Sequence, residues 1–444
     1  LNTIPDHHRW FAEARYGMFI HWGPYSAIGR GEQVLFREHL DQRQYERDAC
    51  AWNPQAFHAQ AWAQAAVDGG YRYAVLTTRH HDGYCLWDSK QTDYTSVRQA
   101  PKRDFVREYV DAFRDAGLRV GLYYSLADWR TAAYWNDPAD DPDGWASFRG
   151  VVHEQVRELL TDYGQIDVLW FDGAWPHSAK EWDSEQIDRM ARALQSHILV
   201  NNRLDSGKVF GLHGDEPVEN AGHSATLGDF GTPEHHITPD PNRLWESCQT
   251  TTHRLWGYAT GEHWRTAEQW LDFLCESASQ GGNLLLNVGP DGEGRLPQAY
   301  IERNARVGDW LRHHGEAIYA TQRGDVGEFI TRGYQTRRDN TLYLIMRFWP
   351  AQSTLRIAEL DGRVERATLL HPATSLRVEQ DDDAIVLHGL PADKPCDLYP
   401  VIRLDFAEPP QAKGWAADRL WQGDPRCFVT WAQQDRIADD AAGT

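Results

Sequence analysis

Asp172 closes the segment Ile166–Pro176 (IDVLWFDGAWP), in which an apolar run from Val168 to Phe171 meets an aspartate and then Gly173. Such runs read as buried parallel strands. The carboxyl end of a strand of this kind is where an α/β barrel keeps its reacting groups. A carboxylate among Trp170, Phe171 and Trp175 sits in a partly desolvated site, where burial and neighbours tune its pKa. The competing reading is a helix cap, or a turn made with Gly173. Other strand ends carry polar groups as well: His21 in FIHWG, His80 and His81 in TTRHHDG, Tyr123, Tyr124 and Asp128 in GLYYSLADW, and Arg203 in VNNR. Singly, each has a structural explanation, since a lone His is more often a satisfied core residue. Together they predict one pocket, because barrel strand ends converge although they lie far apart in the chain.

Three chemistries compete for such a pocket. A serine nucleophile wants a G-x-S-x-G turn, which Ser125 in YYSLA lacks. Metal-assisted hydrolysis through His80, His81 and Asp82 needs a bent backbone, because neighbours in extended chain point to opposite sides. The chain contains no H-x-H and no H-E-x-x-H. Glycoside hydrolysis needs two carboxyl groups and many neutral hydrogen-bonding partners for hydroxyls, and it fits best.

The elements that must position these groups follow a repeating rhythm. Strands are expected at 17–22, 73–78, 119–126, 166–172 and 198–202, and at the NLLLNV segment from Asn283. Helices are expected between them. Asn53 and Pro54 open the first, which Gly69 and Gly70 close. The second starts at Asp104 with Phe105, Tyr109 and Phe113 on one face. Others cover 145–163, 185–194, 267–277 and 300–314. Helix, glycine stop and apolar strand, repeated, predict a (β/α)8-like barrel over residues 1–318. Residues 205–241 break the rhythm, and a long loop inside a barrel is usually functional. Short strands with turns between them, from Thr341 to Phe406, predict a smaller antiparallel β-sandwich over 319–406. The tail 407–444, with Trp415, Trp421 and Trp431, is expected to pack on the body.

Composition narrows the partners. The 444 residues carry 45 Lys and Arg against 65 Asp and Glu, a formal net charge of −20. That surface repels phosphate backbones and anionic lipid, so no nucleic acid and no membrane partner is expected. No apolar run approaches a membrane span. The six cysteines are scattered with no C-x-x-C, and read as single thiols. The twenty tryptophans are a weak hint of sugar binding. The chain starts at Leu1 without a basic region and apolar core. A cytoplasmic setting is slightly favoured over a periplasmic or secreted one, and a homo-oligomer is compatible with the composition.

Six blocks carry a resemblance: RYGMFIHWGPYS, YAVLTTRHHDGYCLWDSKQTDY, GLYYSLADW, VLWFDGAWP, GDFGTPE and GGNLLLNVGPDGEGRLP. In this order, from about Trp10 to Leu296, they closely resemble the α-L-fucosidases of glycoside hydrolase family 29. The resemblance implies a barrel followed by a β-sandwich, and a retaining exo-enzyme that removes terminal α-L-fucose without metal or cofactor. The Asp of the family's V-L-W-x-D-G motif is its nucleophile, which implies that role for Asp172. GDFGTPE matches the acid/base loop of the branch with relaxed linkage preference and makes Glu234 the counterpart. The W-I/V-G-N-E motif of the linkage-restricted branch is not found. Glu246 in LWESC, and Glu216 or Glu219 in GDEPVEN, are the alternatives.

The same resemblance implies that His21, Glu32, His80, His81, Tyr124, Trp170 and Arg203 bind the sugar. Phe19, Tyr124, Trp170 and Trp256 would surround its C5 methyl, a contact worth about 1 kcal/mol. The family usually has Trp after the Glu at position 32. This chain has Gln33, which implies an altered aglycone side. Two other functions stay open: a related retaining glycosidase on a fucose-like sugar such as an α-L-galactoside, and a non-catalytic fucose-binding protein.

Overall fold

The computed structural model describes residues 4–205, 227–240, 243–324, 332–358, 360–382 and 384–412. The chain divides into two units, Leu1–Thr321 and Gln322–Thr444. The expected tail beyond Ala412 lies outside the described residues.

The first unit is built on eight strands: β1 (Tyr16–Ile20), β2 (Tyr73–Arg79), β3 (Arg119–Ser125), β4 (Val168–Asp172), β5 (Leu199–Val200), β6 (Phe230–Gly231), β7 (Leu244–Thr250) and β8 (Asn283–Val288). They run in the order β5-β4-β3-β2-β1-β8-β7-β6. Every pairing is parallel. A single parallel bridge between Asn201 and Phe230 makes the last seam of the ring. Asp229 seals it twice, donating its N–H to the Val200 carbonyl at 2.7 Å and accepting the Val200 N–H on Oδ2 at 2.8 Å.

Alternation along the strands fills the barrel. Phe19, Tyr73, Tyr123, Trp170, Leu199 and Leu285 come from different strands and share one buried cluster inside the ring. Residues one step along face the helices, so the strands are buried on both sides and read as continuous apolar runs. Helix Phe105–Asp115 lies outside the ring with Phe105, Tyr109 and Phe113 buried, and Asp104 caps it by accepting the Arg107 N–H. After β1's short turns a helix Gln42–Ala51 comes first, and the next, Ala59–Gly69, starts later than Asn53–Pro54 predict. Phe57 is stacked on Trp22 at 4.9 Å, so this stretch plugs an aromatic cluster and the helix begins only at the His58 cap. Among the described residues no helix follows β5 beyond the short turn Asn202–Asp205, and none follows β6.

The second unit holds β9 (Gln322–Arg323), β10 (Gly333–Arg338), β11 (Thr341–Met346), β12 (Thr354–Ile357), β13 (Leu360–Asp361), β14 (Val364–Leu369), β15 (Thr374–Gln380), β16 (Ile385–His388), β17 (Val401–Phe406) and β18 (Gln411–Ala412). The main order is β12-β16-β15-β14-β17-β11-β10-β9, all antiparallel. β15 joins two layers: Thr374–Leu376 pair with β14, and Arg377–Gln380 pair with β16. Leu342, Leu344, Ile357, Leu387, Ile402 and Leu404 pack between the layers. The strand that ends the expected run at Phe406 starts at Val401, just after Pro400, which has no N–H for the ladder.

Candidate active site

β4 delivers Asp172 by period-two alternation. Trp170 and Asp172 face the barrel axis, while Phe171 between them faces outward. Gly173 then turns at φ 70°, and a Cβ there would lie 2.9 Å from both Ala127 and Ser125. The turn expected at Gly173 therefore exists, and it leaves Asp172 in the pocket. A cavity of about 820 Å³ opens at this end, with Asp172, Arg203, Glu234, His80 and His81 in its wall.

Arg203 organises the carboxylates. Its Nη1 donates to Asp172 Oδ1 at 3.1 Å and its Nη2 to Glu234 Oε2 at 2.7 Å. Its Nε donates to Thr232 Oγ1 at 2.9 Å, and its guanidinium lies 4.6 Å over the Trp170 ring. Burial alone opposes a charge here, but Glu234 and Asp172 outweigh it and raise the Arg203 pKa. Tyr123 supplies a third donor to the pair, its hydroxyl reaching Asp172 Oδ2 at 2.9 Å. Burial, then the Asp172 charge, raise the Tyr123 pKa far above that of a free phenol, so it stays a neutral donor.

The histidines are neutral for one dominant reason, burial. It pushes His21 down to about 3 and His81 down to about 4, the latter despite Asp172 pulling the other way. His80 is lowered too, by burial and then by His81. Their hydrogen bonds fix the tautomers. The Asn287 amide nitrogen donates to the Trp256 carbonyl at 2.7 Å, so its oxygen accepts from His21 Nδ1 at 2.7 Å. Ser125 Oγ donates to the Ala127 carbonyl at 3.1 Å, so it accepts from His81 Nδ1 at 2.7 Å. Both Nε2 atoms therefore carry lone pairs. His81 Nε2 lies 3.7 Å from Asp172 Oδ2, two acceptors with no proton between them. His80 Nδ1 is buried and meets no partner among the described residues.

The structure brings together most of the residues expected at the site. Phe19, His21, His80, His81, Trp170, Arg203 and Trp256 line the same cavity as Asp172 and Glu234. Tyr124 does not. It sits outside the ring, donating to Gln155 Oε1 at 2.8 Å and lying beneath Arg79. Tyr123 takes its place, and register explains why: Tyr123 pairs with the inward Trp170, Tyr124 with the outward Phe171. Glu32 does not line the cavity either. Its Oε2 accepts the Trp256 and Gly257 N–H groups at 3.1 and 2.8 Å, so it fixes the loop that carries Trp256. Burial raises its pKa. Glu246 lies below the pocket floor, holding Trp170 and Tyr73. Glu216 and Glu219 lie outside the described residues. Asp128 is bound by Arg79 and Arg130 at 2.8 and 2.7 Å and is structural.

Sequence reasoning placed Tyr123 at a strand end but gave the sugar contact to Tyr124, and it missed Thr232 and the aromatic mouth of Phe36, Trp129 and Trp135. Inward phase relative to Asp172 was the available signal for Tyr123. Among the described residues no group of three or more His, Cys, Asp or Glu is arranged to hold a metal ion.

A parallel barrel with two carboxylates at its C-terminal mouth, amid neutral imidazoles and indoles, defines a barrel glycoside hydrolase. The model of the Alpha-L-fucosidase family matches residues 3–316. Plasma alpha-L-fucosidase of Rattus norvegicus is 30% identical over 383 residues, covering 80% of each chain. Alpha-L-fucosidase isoenzyme 1 from Paenibacillus thiaminolyticus superposes with a TM-score of 0.80 at 34% identity, covering 91% of this chain and 99% of that one. A trapped covalent intermediate of an alpha-L-fucosidase from Bacteroides thetaiotaomicron, in complex with 2-fluoro-fucosyl fluoride, gives 0.81 at 27% identity, covering 91% and 96%. The chain belongs to the α-L-fucosidase family, glycoside hydrolase family 29.

Proposed function

We propose that the protein is a retaining exo-α-L-fucosidase that releases terminal fucose by double displacement, with Asp172 as nucleophile and Glu234 as acid/base. The observation that carries this reading is the Arg203 guanidinium, with Asp172 on one terminal nitrogen and Glu234 on the other. Retaining glycosidases need two carboxyl groups close together, with no room for a water between sugar and nucleophile.

In the first step an Asp172 oxygen attacks the anomeric carbon. The glycosidic C–O bond breaks, and the Glu234 proton passes to the leaving oxygen. A protonated Glu234 has no charge to give Arg203, so protonation frees it to turn toward that oxygen. In the second step the Glu234 carboxylate takes a proton from water, whose oxygen attacks the anomeric carbon and releases Asp172. The covalent intermediate trapped in the Bacteroides relative supports this order.

The lone pairs of His21 and His81 Nε2 suit hydroxyl donors. Phe19 lies 5.1 Å from Trp170 and 5.9 Å from Trp256, ring to ring, an apolar corner for a C5 methyl. The GDFGTPE loop supports the relaxed-linkage branch. The test is incubation with 2-fluoro-fucosyl fluoride followed by peptide mass spectrometry. A fluorofucosyl adduct on the Asp172 peptide is expected, and an adduct on another residue overturns the nucleophile assignment. Glu234→Ala should slow substrates with poor leaving groups far more than an activated aryl fucoside.

A further inference from the structure

Phe36 and Trp135 are 49% and 37% exposed, the exposed Phe and Trp side chains of the first unit among the described residues. Single exposed apolar side chains need no explanation, but a clustered pair at a cavity mouth does. These two rings stack on each other, 12° from parallel with centroids 5.6 Å apart. Trp129 joins them 5.2 Å from Phe36. The Trp135 indole is locked by its N–H, which donates to the Trp129 carbonyl at 2.9 Å. Trp129 in turn lies 4.9 Å from His81, the imidazole beside Asp172. A continuous aromatic path therefore runs from the nucleophile out to solvent. Phe36 comes from the connection after β1, and Trp129 and Trp135 from the connection after β3. At the rim, Arg37 Nε donates to Gln33 Oε1 at 2.8 Å, and both line the cavity.

We propose that Phe36, Trp129 and Trp135 form the subsite for the leaving group, and that its occupant is the pyranose ring to which fucose is attached. This rests on the fucosidase reading above. A pyranose presents a C–H face to a flat aromatic surface while its hydroxyls point outward along the ring edge. The platform offers that surface, and Gln33 with Arg37 offers the polar rim. A simple alkyl alcohol would use the apolar rings and leave the rim idle.

The test compares α-L-fucosyl fluoride, which has no leaving-group ring, with a fucosyl-hexopyranose disaccharide and an aryl fucoside. In Phe36→Ala and in Trp135→Ala, kcat/KM for the disaccharide relative to the fluoride should fall about tenfold, the scale of one lost aromatic contact. Trp135→Phe and Phe36→Tyr should keep most of that ratio. An unchanged ratio in the alanine variants overturns the subsite. A loss confined to the aryl fucoside overturns the pyranose assignment. Failure of the unmodified protein to hydrolyse even the fluoride overturns the fucosidase reading itself.

Discussion

Glu246 accepts the Trp170 indole N–H on Oε1 at 2.8 Å, directly beneath the ring that carries Arg203. Its other oxygen accepts the Tyr73 hydroxyl at 2.5 Å. The site thus stands on a column: Glu246 holds Trp170, Trp170 supports Arg203, and Arg203 holds Asp172 and Glu234. Glu246 touches neither the cavity nor a reacting atom, so it is a positioning residue.

That carboxyl gives the first prediction. Burial pushes Glu246 up to about 7 from 4.5. The folded state therefore keeps a proton that the unfolded state releases. The associated stability is full below about pH 4.5 and is lost as pH rises through about 7. Glu246→Gln mimics the protonated form at every pH. Stability of the parent relative to this variant should fall by up to about 3 kcal/mol between pH 4.5 and pH 8. Urea unfolding at the two pH values measures it, and a pH-independent difference would remove Glu246 from the titration.

The two neighbouring tyrosines should separate cleanly. Tyr123→Phe removes a donor to Asp172, and kcat/KM should fall about tenfold, the scale of one hydrogen bond to a charged group. Tyr124→Phe removes a bond to Gln155 outside the ring. It should cost about 1 kcal/mol of stability and leave kinetics within about twofold. Steady-state kinetics with thermal melts on both variants checks the pair, and reversed effects would contradict the strand phase.

Arg203→Lys keeps the charge and discards the fork. An ammonium cannot hold two carboxylates and Thr232 with the same geometry, so kcat/KM should drop about a hundredfold or more. Circular dichroism should show the secondary structure retained. Activity near that of the parent would mean the guanidinium does not organise the carboxylates.

Asp128 should behave as a structural ion. Burial opposes its charge, but Arg130 and Arg79 overcome this and hold it down to about 2. The stability it confers is present above the unfolded pKa near 3.8 and is lost as pH falls through about 2. Asp128→Asn strands the buried Arg79, which should cost about 3–5 kcal/mol at neutral pH. Chemical denaturation reads this directly, and a loss below about 1 kcal/mol would argue against the pairing.

Much of the barrel was legible because apolar runs such as Val168–Phe171 and Leu284–Leu286 are long and sit between glycine stops. Strand ends then located His21, His80, His81, Asp172 and Arg203 without any contact information. What failed had local causes. Adjacent tyrosines cannot be told apart by type, only by phase against a neighbouring strand, so Tyr124 was expected where Tyr123 stands. Glu32 looks like a sugar ligand and Glu246 like a catalytic carboxylate in one dimension, but Glu32 accepts backbone N–H groups and Glu246 accepts an indole N–H and a phenol O–H of the scaffold. β10, GYQTRR, lacks the apolar alternation that marks a strand, because half-buried polar side chains occupy most of its length.

Asp172 ends a five-residue strand with laddered neighbours on both sides. Glu234 is attached differently. It forms an isolated bridge with Cys248, secured by Cys248 N–H to the Pro233 carbonyl and His235 N–H to the Cys248 carbonyl, each at 3.0 Å. Asp172 is woven into the ring, whereas Glu234 is clipped to one edge of β7. Residues 233–236, beyond the Thr232 that anchors Arg203, therefore amount to an exchangeable cassette. Under the proposed mechanism, leaving-group handling can be rewritten there, by grafting or by length change, while Asp172 stays where β4 puts it.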